Sequence, residues 1–383
     1  MKRLALLFLL VLVPAPSAAL ADGCPLPCSG QSSSPPGSKL LYVQADGARG
    51  SLIAYSTATE QAVFALPPGM ASADGRTYFS AFATPTRSMT RVRRWDVATA
   101  QRKGEWLVPG RWQLQGISPT GRWAALARRS RTQTSILVFD GRLGKRAHVL
   151  RLRGNFEVET LSRDGKRLFL IEHFAGRQYN VREYDLSRER LLADPLSAEG
   201  VKIMAGYAWS GVASPDGRWL LTLYLSTPGK LAFVHSLDLE RSRPACIALP
   251  SVRGAFEKLK RYSLTLAPGG KRLYAANPAL GVVAELDLEG SVVKRVSRFA
   301  KTAPVAGAHA ATLSTISRNG RTMYFSAGRD LWAYDTAYGV VRGPYATGGK
   351  IVGVGYGSGD KSVLAVRRDG YMVAFRAATG ERL

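Results

Sequence analysis

A chain of 383 residues, 46% of them hydrophobic, can bury an extended core, and three cysteines exclude a disulfide-dense scaffold. Its 53 lysines and arginines against 28 acidic residues give a formal charge of +25, which favours anionic partners. The cations form no long block, which argues against a nucleic-acid-binding arm, and 4 histidines leave little room for metal or general-base chemistry.

In chain order, residues 1–21 read as a secretory signal. Lys2 and Arg3 form a basic start, Leu4 to Val13 an apolar stretch, and Ala19-Leu20-Ala21 a small-residue cleavage site. The stretch is short for a membrane span and no second one follows. The expectation is an exported protein, secreted or held in the periplasm or cell envelope, with at most peripheral membrane contact. Lipidation at Cys24 is the alternative, for which Ala21-Asp22-Gly23 is a poor leader. Cys24 and Cys28, in CPLPC, would close only a tiny disulfide loop; bonded and free forms both stay open. Residues 22–38, DGCPLPCSGQSSSPPGS, read as a flexible linker, since this composition buries no core. Residues 39–383 read as one domain.

Within that domain a turn recurs at intervals of about 40 to 53 residues: ADGR (Ala73–Arg76), PTGR (Pro119–Arg122), RDGK (Arg163–Lys166), PDGR (Pro215–Arg218), PGGK (Pro268–Lys271), RNGR (Arg318–Arg321) and SGDK (Ser358–Lys361). Each precedes an apolar β-like run such as RLFLIE or RWLLTLY, so each reads as strand–turn–strand. A second series runs out of phase, and in six copies it ends on an aspartate: Asp96, Asp140, Asp185, Asp238, Asp287 and Asp335. Ser56 and Arg376 replace it in the outermost copies. An aspartate there can accept the N–H groups of the following turn. A third apolar strand follows, as in AHVLRLR and ACIALP, where Cys246 reads as a buried apolar residue.

A meander of four short strands repeated along a chain is the pattern of propeller blades. The SPDGRWL turn followed by YDL-type strand ends resembles exported bacterial propellers of the TolB-like, YVTN-like and WD40-like families over residues 39–383. The resemblance implies an all-β propeller of four-stranded antiparallel blades and leaves activity open, because scaffolds, surface proteins, lactonases and oligopeptidase gating domains share it. Eight modules favour eight blades, with strand a missing from the first and most of strand d from the last. Seven blades closed by pairing the terminal strands is the alternative.

Chemistry is sparse. SPDGRW has the wrong spacing for a sialidase Asp box, and GVGYGSGDKS (Gly353–Ser362) precedes a strand rather than a helix, so it reads as a glycine-rich inner strand. His148 and His235 lie in strands and read as structural. Strand direction puts the d–a and b–c loops on one face, at the channel mouth where propellers bind ligands. Trp112, Trp209, Lys258, Lys260, Arg261, Tyr262 and Asn277 fall there, a basic and aromatic set suited to an anionic or glycan ligand. Glu172, His173 and His309 are the best-placed groups for catalysis. The sequence therefore reads as a monomeric, non-enzymatic binding or scaffold module without metal or cofactor, for a protein or an anionic envelope polymer. A lactonase-like or other hydrolytic propeller is the alternative.

Overall fold

The repeated turn is built by its own side chains. In blade 5, Ser214 Oγ accepts the Trp219 N–H at 2.7 Å, Asp216 Oδ1 accepts the Arg218 N–H at 3.0 Å, and Gly217 takes φ 81°. Ser162 and Asp164 repeat the clamp, as do Ser317 and Asn319. At the other turn Asp140 accepts the N–H groups of Arg142 and Leu143 at 2.8 and 3.0 Å, and Asp96, Asp185, Asp238, Asp287 and Asp335 do the same work. The basic residue after the first turn reaches the second. Arg122 Nη2 lies 3.1 Å from Asp140 Oδ2, and Arg218 Nη2 lies 3.0 Å from Asp238 Oδ2. Both guanidiniums also stack on the adjoining Trp123 and Trp219.

The structure, a computed structural model, describes residues 32–33, 39–44, 50–85, 88–130, 132–175, 178–197, 204–226, 231–252, 256–303 and 313–383. These turns fold the chain into eight antiparallel sheets, each a blade with strands a to d running outward from the channel. Blade 1 comprises Ser32–Ser33, Leu40–Gln44, Leu52–Ser56 and Ala62–Leu66. Blade 2 comprises Met70–Ala71, Thr77–Ala83, Met89–Asp96 and Arg102–Pro109; blade 3, Gln113–Ile117, Trp123–Arg129, Gln133–Asp140 and Lys145–Arg153. Blade 4 comprises Phe156–Leu161, Arg167–His173, Gln178–Asp185 and Arg190–Leu191, with Met204–Ala205 also pairing with strand 4c. Blade 5 comprises Tyr207–Ala213, Trp219–Ser226, Leu231–Asp238 and Arg243–Ala248; blade 6, Ser263–Leu266, Arg272–Asn277, Val282–Asp287 and Val292–Arg298. Blade 7 comprises Ser314–Ile316, Thr322–Ala327, Asp330–Asp335 and Val340–Ala346, and blade 8 Ile351–Tyr356, Ser362–Arg367 and Met372–Arg376.

The eight-blade expectation holds, with one change at the start. Ser32–Ser33, in the stretch read as linker, pairs with Tyr42 and Val43 and so gives blade 1 its strand a. Among the described residues blade 8 has three strands, and its outer edge carries the Phe375–Arg382 bridge. Each sheet is apolar on both faces of strand b, where Trp219–Ser226 is almost continuously buried, whereas outer strands such as Val292–Arg298 alternate. Such sheets must stack, and the core accordingly divides into eight clusters, one in each seam between neighbouring blades.

The last seam closes the ring. Leu41, Val43 and Tyr55 of blade 1 pack with Leu364, Val366 and Met372 of blade 8, so closure comes from face-to-face packing and not from exchanged strands. That explains the glycines of strand 8a: a Cβ on Gly353 would lie 2.4 Å from Val43 Cγ2, and one on Gly355 2.2 Å from Leu41 Cδ1. Among the described residues no helix is long and apolar enough to cross a membrane.

Candidate ligand-binding site

One end of the ring is stitched from d–a and b–c loops. Gly110 N donates to Ser88 O at 2.6 Å, Gly154 N to Thr132 O at 2.8 Å and Thr347 N to Arg329 O at 2.9 Å. The a–b and c–d turns hold the opposite end, where Gly141 N donates to Arg122 O at 2.8 Å and Leu239 N to Arg218 O at 2.7 Å. Strand alternation thus separates the SPDG-type turns from the channel mouth.

At the mouth, the connection from strand 5d to 6a carries a one-turn helix, Phe256–Leu259. The Lys258 carbonyl accepts the Asn277 amide at 2.8 Å and the Arg261 N–H at 3.0 Å, which leaves the Lys258 side chain exposed. The Lys260 carbonyl accepts Trp209 Nε1 at 2.9 Å, and the Lys260 ammonium sits 5.7 Å from the Trp209 ring and 2.7 Å from Glu257 Oε1. Tyr207 meets Trp209 edge-on at 6.2 Å. Trp209 and Lys260 therefore brace one another at the lip.

Arg261 is buried at the start of strand 6a, and burial pulls its guanidinium below the usual value against the pull of Glu257. Two blades round the ring, Lys350 precedes strand 8a, and its carbonyl accepts the Arg368 N–H at 2.7 Å. Burial lowers the Lys350 ammonium, and the charges of Arg368 and Arg261 lower it further. Three cations thus share one field at the mouth. Neither Lys350 nor Arg368 has an ion pair among the described residues. Lys350 and Arg368, like charges held side by side, are suited to receive an anion.

Other residues expected on the rim are turned inward. Asn277 is fully buried, and its Oδ1 accepts Ala279 N and Leu280 N at 3.1 and 3.0 Å, so it closes its own turn. Tyr262 is buried with its hydroxyl donating to Pro250 O at 2.6 Å, and Trp112 is buried with Nε1 donating to Pro109 O at 2.7 Å. These three have spent their polar atoms on neighbouring carbonyls and serve the rim's backbone.

The residues expected to be best placed for catalysis do not assemble among the described residues. Glu172 and His173 are successive on strand 4b and face opposite sides of the sheet. Glu172 Oε2 lies 2.7 Å from Arg182 Nη1, and His173 Nε2 lies 3.0 Å from Glu157 Oε2. His309 lies outside the described residues, as do the signal segment, Cys24 and Cys28. Glu157 also lies 3.4 Å from Arg129 Nη1. Two residues further along strand 4a, Glu159 is buried; Thr222 Oγ1 donates to its Oε1 at 3.2 Å, and its Oε2 has no partner among the described residues. Burial first, and the Glu157 charge second, push the Glu159 carboxyl up to about 8.

Lys350 and Arg368 escape the rim set read from sequence, although GGK before strand 8a and RRDG after strand 8b occupy the same loop classes as the rim residues. A groove of about 680 Å³ lies elsewhere, on the outer wall between blades 2 and 3 beside Trp106 and Leu107. Arg102 there is paired with Glu105 at 2.8 Å, and Lys145 and Arg146 line the same groove.

No family model matches the chain, and no curated protein does. Solved structures match it in fold. Dihydro-heme d1 dehydrogenase NirN, in complex with DHE, is 16% identical, with a TM-score of 0.55 over 94% of this chain and 75% of that one. The Dos1 propeller is 10% identical, with a TM-score of 0.54 over 91% of both chains. These likenesses show the β-propeller fold.

Proposed function

We propose that this chain is an exported β-propeller that binds an anionic partner, an acidic envelope polymer or acidic protein surface, at the channel mouth. The observation that carries the reading is the pair Lys350 and Arg368, held together where the Arg368 N–H donates to the Lys350 carbonyl at 2.7 Å, with no ion pair on either among the described residues. Lys258, Lys260 and Trp209 extend the same lip with a cationic and aromatic surface. Export rests on the leader Lys2 to Ala21, and the spread of +25 along the chain supports an anionic partner. The binding reading is favoured over hydrolysis because Glu172 and His173 are committed to Arg182 and Glu157. As for family, the turn grammar resembles that of the TolB-like, YVTN-like and WD40-like propellers.

Dextran sulfate, with neutral dextran as control, is a direct probe. The protein is expected to bind the sulfated polymer, and Lys350→Gln with Arg368→Gln together to weaken it by about a hundredfold, at about 1.4 kcal/mol per lost charged contact. Unchanged affinity in that double variant overturns the site.

A further inference from the structure

We propose that Met204, His235 and Cys246 form a binding site for monovalent copper in the seam between blades 4 and 5. Three elements bring the donors together. Met204 pairs across from Tyr179 of strand 4c, and Cys246 of strand 5d pairs across from His235 of strand 5c. The Tyr179 and Tyr224 rings stack at 4.9 Å and stand 6.4 and 5.7 Å from the His235 ring, so His235 and Met204 lie against one aromatic pair in this seam.

The sulfurs are already placed. Cys246 Sγ lies 3.8 Å from Met204 Sδ. Two metal–sulfur bonds of about 2.3 Å that span this separation meet at roughly 110°, an ordinary angle for three- or four-coordinate metal. The independent observation is His235. It is 3% exposed, and neither Nδ1 nor Nε2 has a hydrogen-bond partner among the described residues. An imidazole buried without partners carries a desolvation cost of about 1–3 kcal/mol per orphaned atom, which a ligand bond removes. Thioether, thiolate and imidazole are soft donors and select Cu(I). Among the described residues no three His, Cys, Asp or Glu side chains converge, so a harder ion lacks the oxygen-rich or all-His/Cys set it prefers. Cys246 is exposed on the outer strand while Met204 and His235 lie behind it, which gives the ion a path from the outer wall. Binding forms a copper–thiolate bond, breaks the S–H bond and releases one proton to solvent.

Sequence reading took His235 as structural and Cys246 as a buried apolar residue. Cys246 is in fact exposed, with its sulfur turned inward, because strand 5d is the outer strand of its blade.

The test is an anaerobic Cu(I) titration of the full chain against a coloured copper chelator, in a Cys24→Ser, Cys28→Ser background that leaves Cys246 as the single thiol. One equivalent is expected, with X-ray absorption showing two sulfur neighbours and one nitrogen. Met204→Leu keeps volume and apolarity and is expected to weaken binding by about tenfold or more, as are Cys246→Ser and His235→Gln. A copper affinity unchanged by Met204→Leu overturns the proposal, as does a preference for Zn(II) in a parallel titration. If His235→Gln fails to fold, Met204→Leu and the absorption spectrum still decide.

Discussion

Glu159 sits where strand 4a breaks register between Val158 and Thr160, so it is the one residue of that strand without a cross-strand partner. Its carboxyl lies in the 4/5 seam against Thr222, beside Glu157, which Arg129 and His173 contact. With its pKa raised from 4.5 to about 8, the folded protein keeps a proton that the unfolded chain releases. The stabilising contribution is complete below about pH 4.5, declines as pH rises, and is gone above about pH 8. Urea unfolding at pH 5.5 and pH 9 is expected to show a loss on the order of 3 kcal/mol from this group. Glu159→Gln, which keeps the shape and the Thr222 contact, should remove most of that slope. A slope identical in the two proteins would show that Glu159 is ionised in the fold. None of this was legible in NFEVETL, because alternation fixes the face of Glu159 but not that Thr222 of the next blade meets it there, whereas the turn-closing aspartates were legible because they act on residues two and three positions away.

Strand 8a shows the complementary lesson for elements. Its glycine-rich sequence invites a phosphate-loop reading, and the recurrence of the turns places it correctly as an inner strand. Its purpose depends on Leu41 and Val43, some three hundred residues away, and no local pattern carries that. The same distance hides the strand at Ser32–Ser33, where composition speaks for a linker and only the open edge of Leu40–Gln44 gives the segment a place. Ring closure can be tested directly. Gly355→Ala drives a methyl into Leu41 Cδ1 and is expected to cost about 1–3 kcal/mol in urea unfolding, the usual penalty of overpacking. Leu41→Ala loses stability by itself through its cavity, but in that background Gly355→Ala should cost little or stabilise. Additive penalties in the double variant would mean that the two blades do not meet through this pair.

For the whole molecule, the question is whether +25 acts as a cloud or through a place. A cloud attracts any polyanion and sets the association rate, and its reach is about 10 Å at 0.1 M salt and about 3 Å at 1 M. A place adds contacts that set the dissociation rate. The rim logic found Lys258, Lys260 and Arg261 because they sit in one long d–a connection. It missed that Asn277, Tyr262 and Trp112 bond to rim carbonyls, since sequence fixes which loop a residue occupies and not which way it turns. Two double variants of equal net charge separate the possibilities. Lys271→Gln with Lys361→Gln removes two exposed cations from the a–b turns at the far end, and Lys350→Gln with Arg368→Gln removes two from the mouth. Both should slow association with dextran sulfate to a similar small degree. The mouth pair alone should speed dissociation, by about tenfold per charge, and that difference should persist as salt is raised while the shared loss of rate fades. Equal dissociation rates in the two variants would make the basic character of this propeller a property of its whole surface, and would leave the Lys350–Arg368 pair without a ligand.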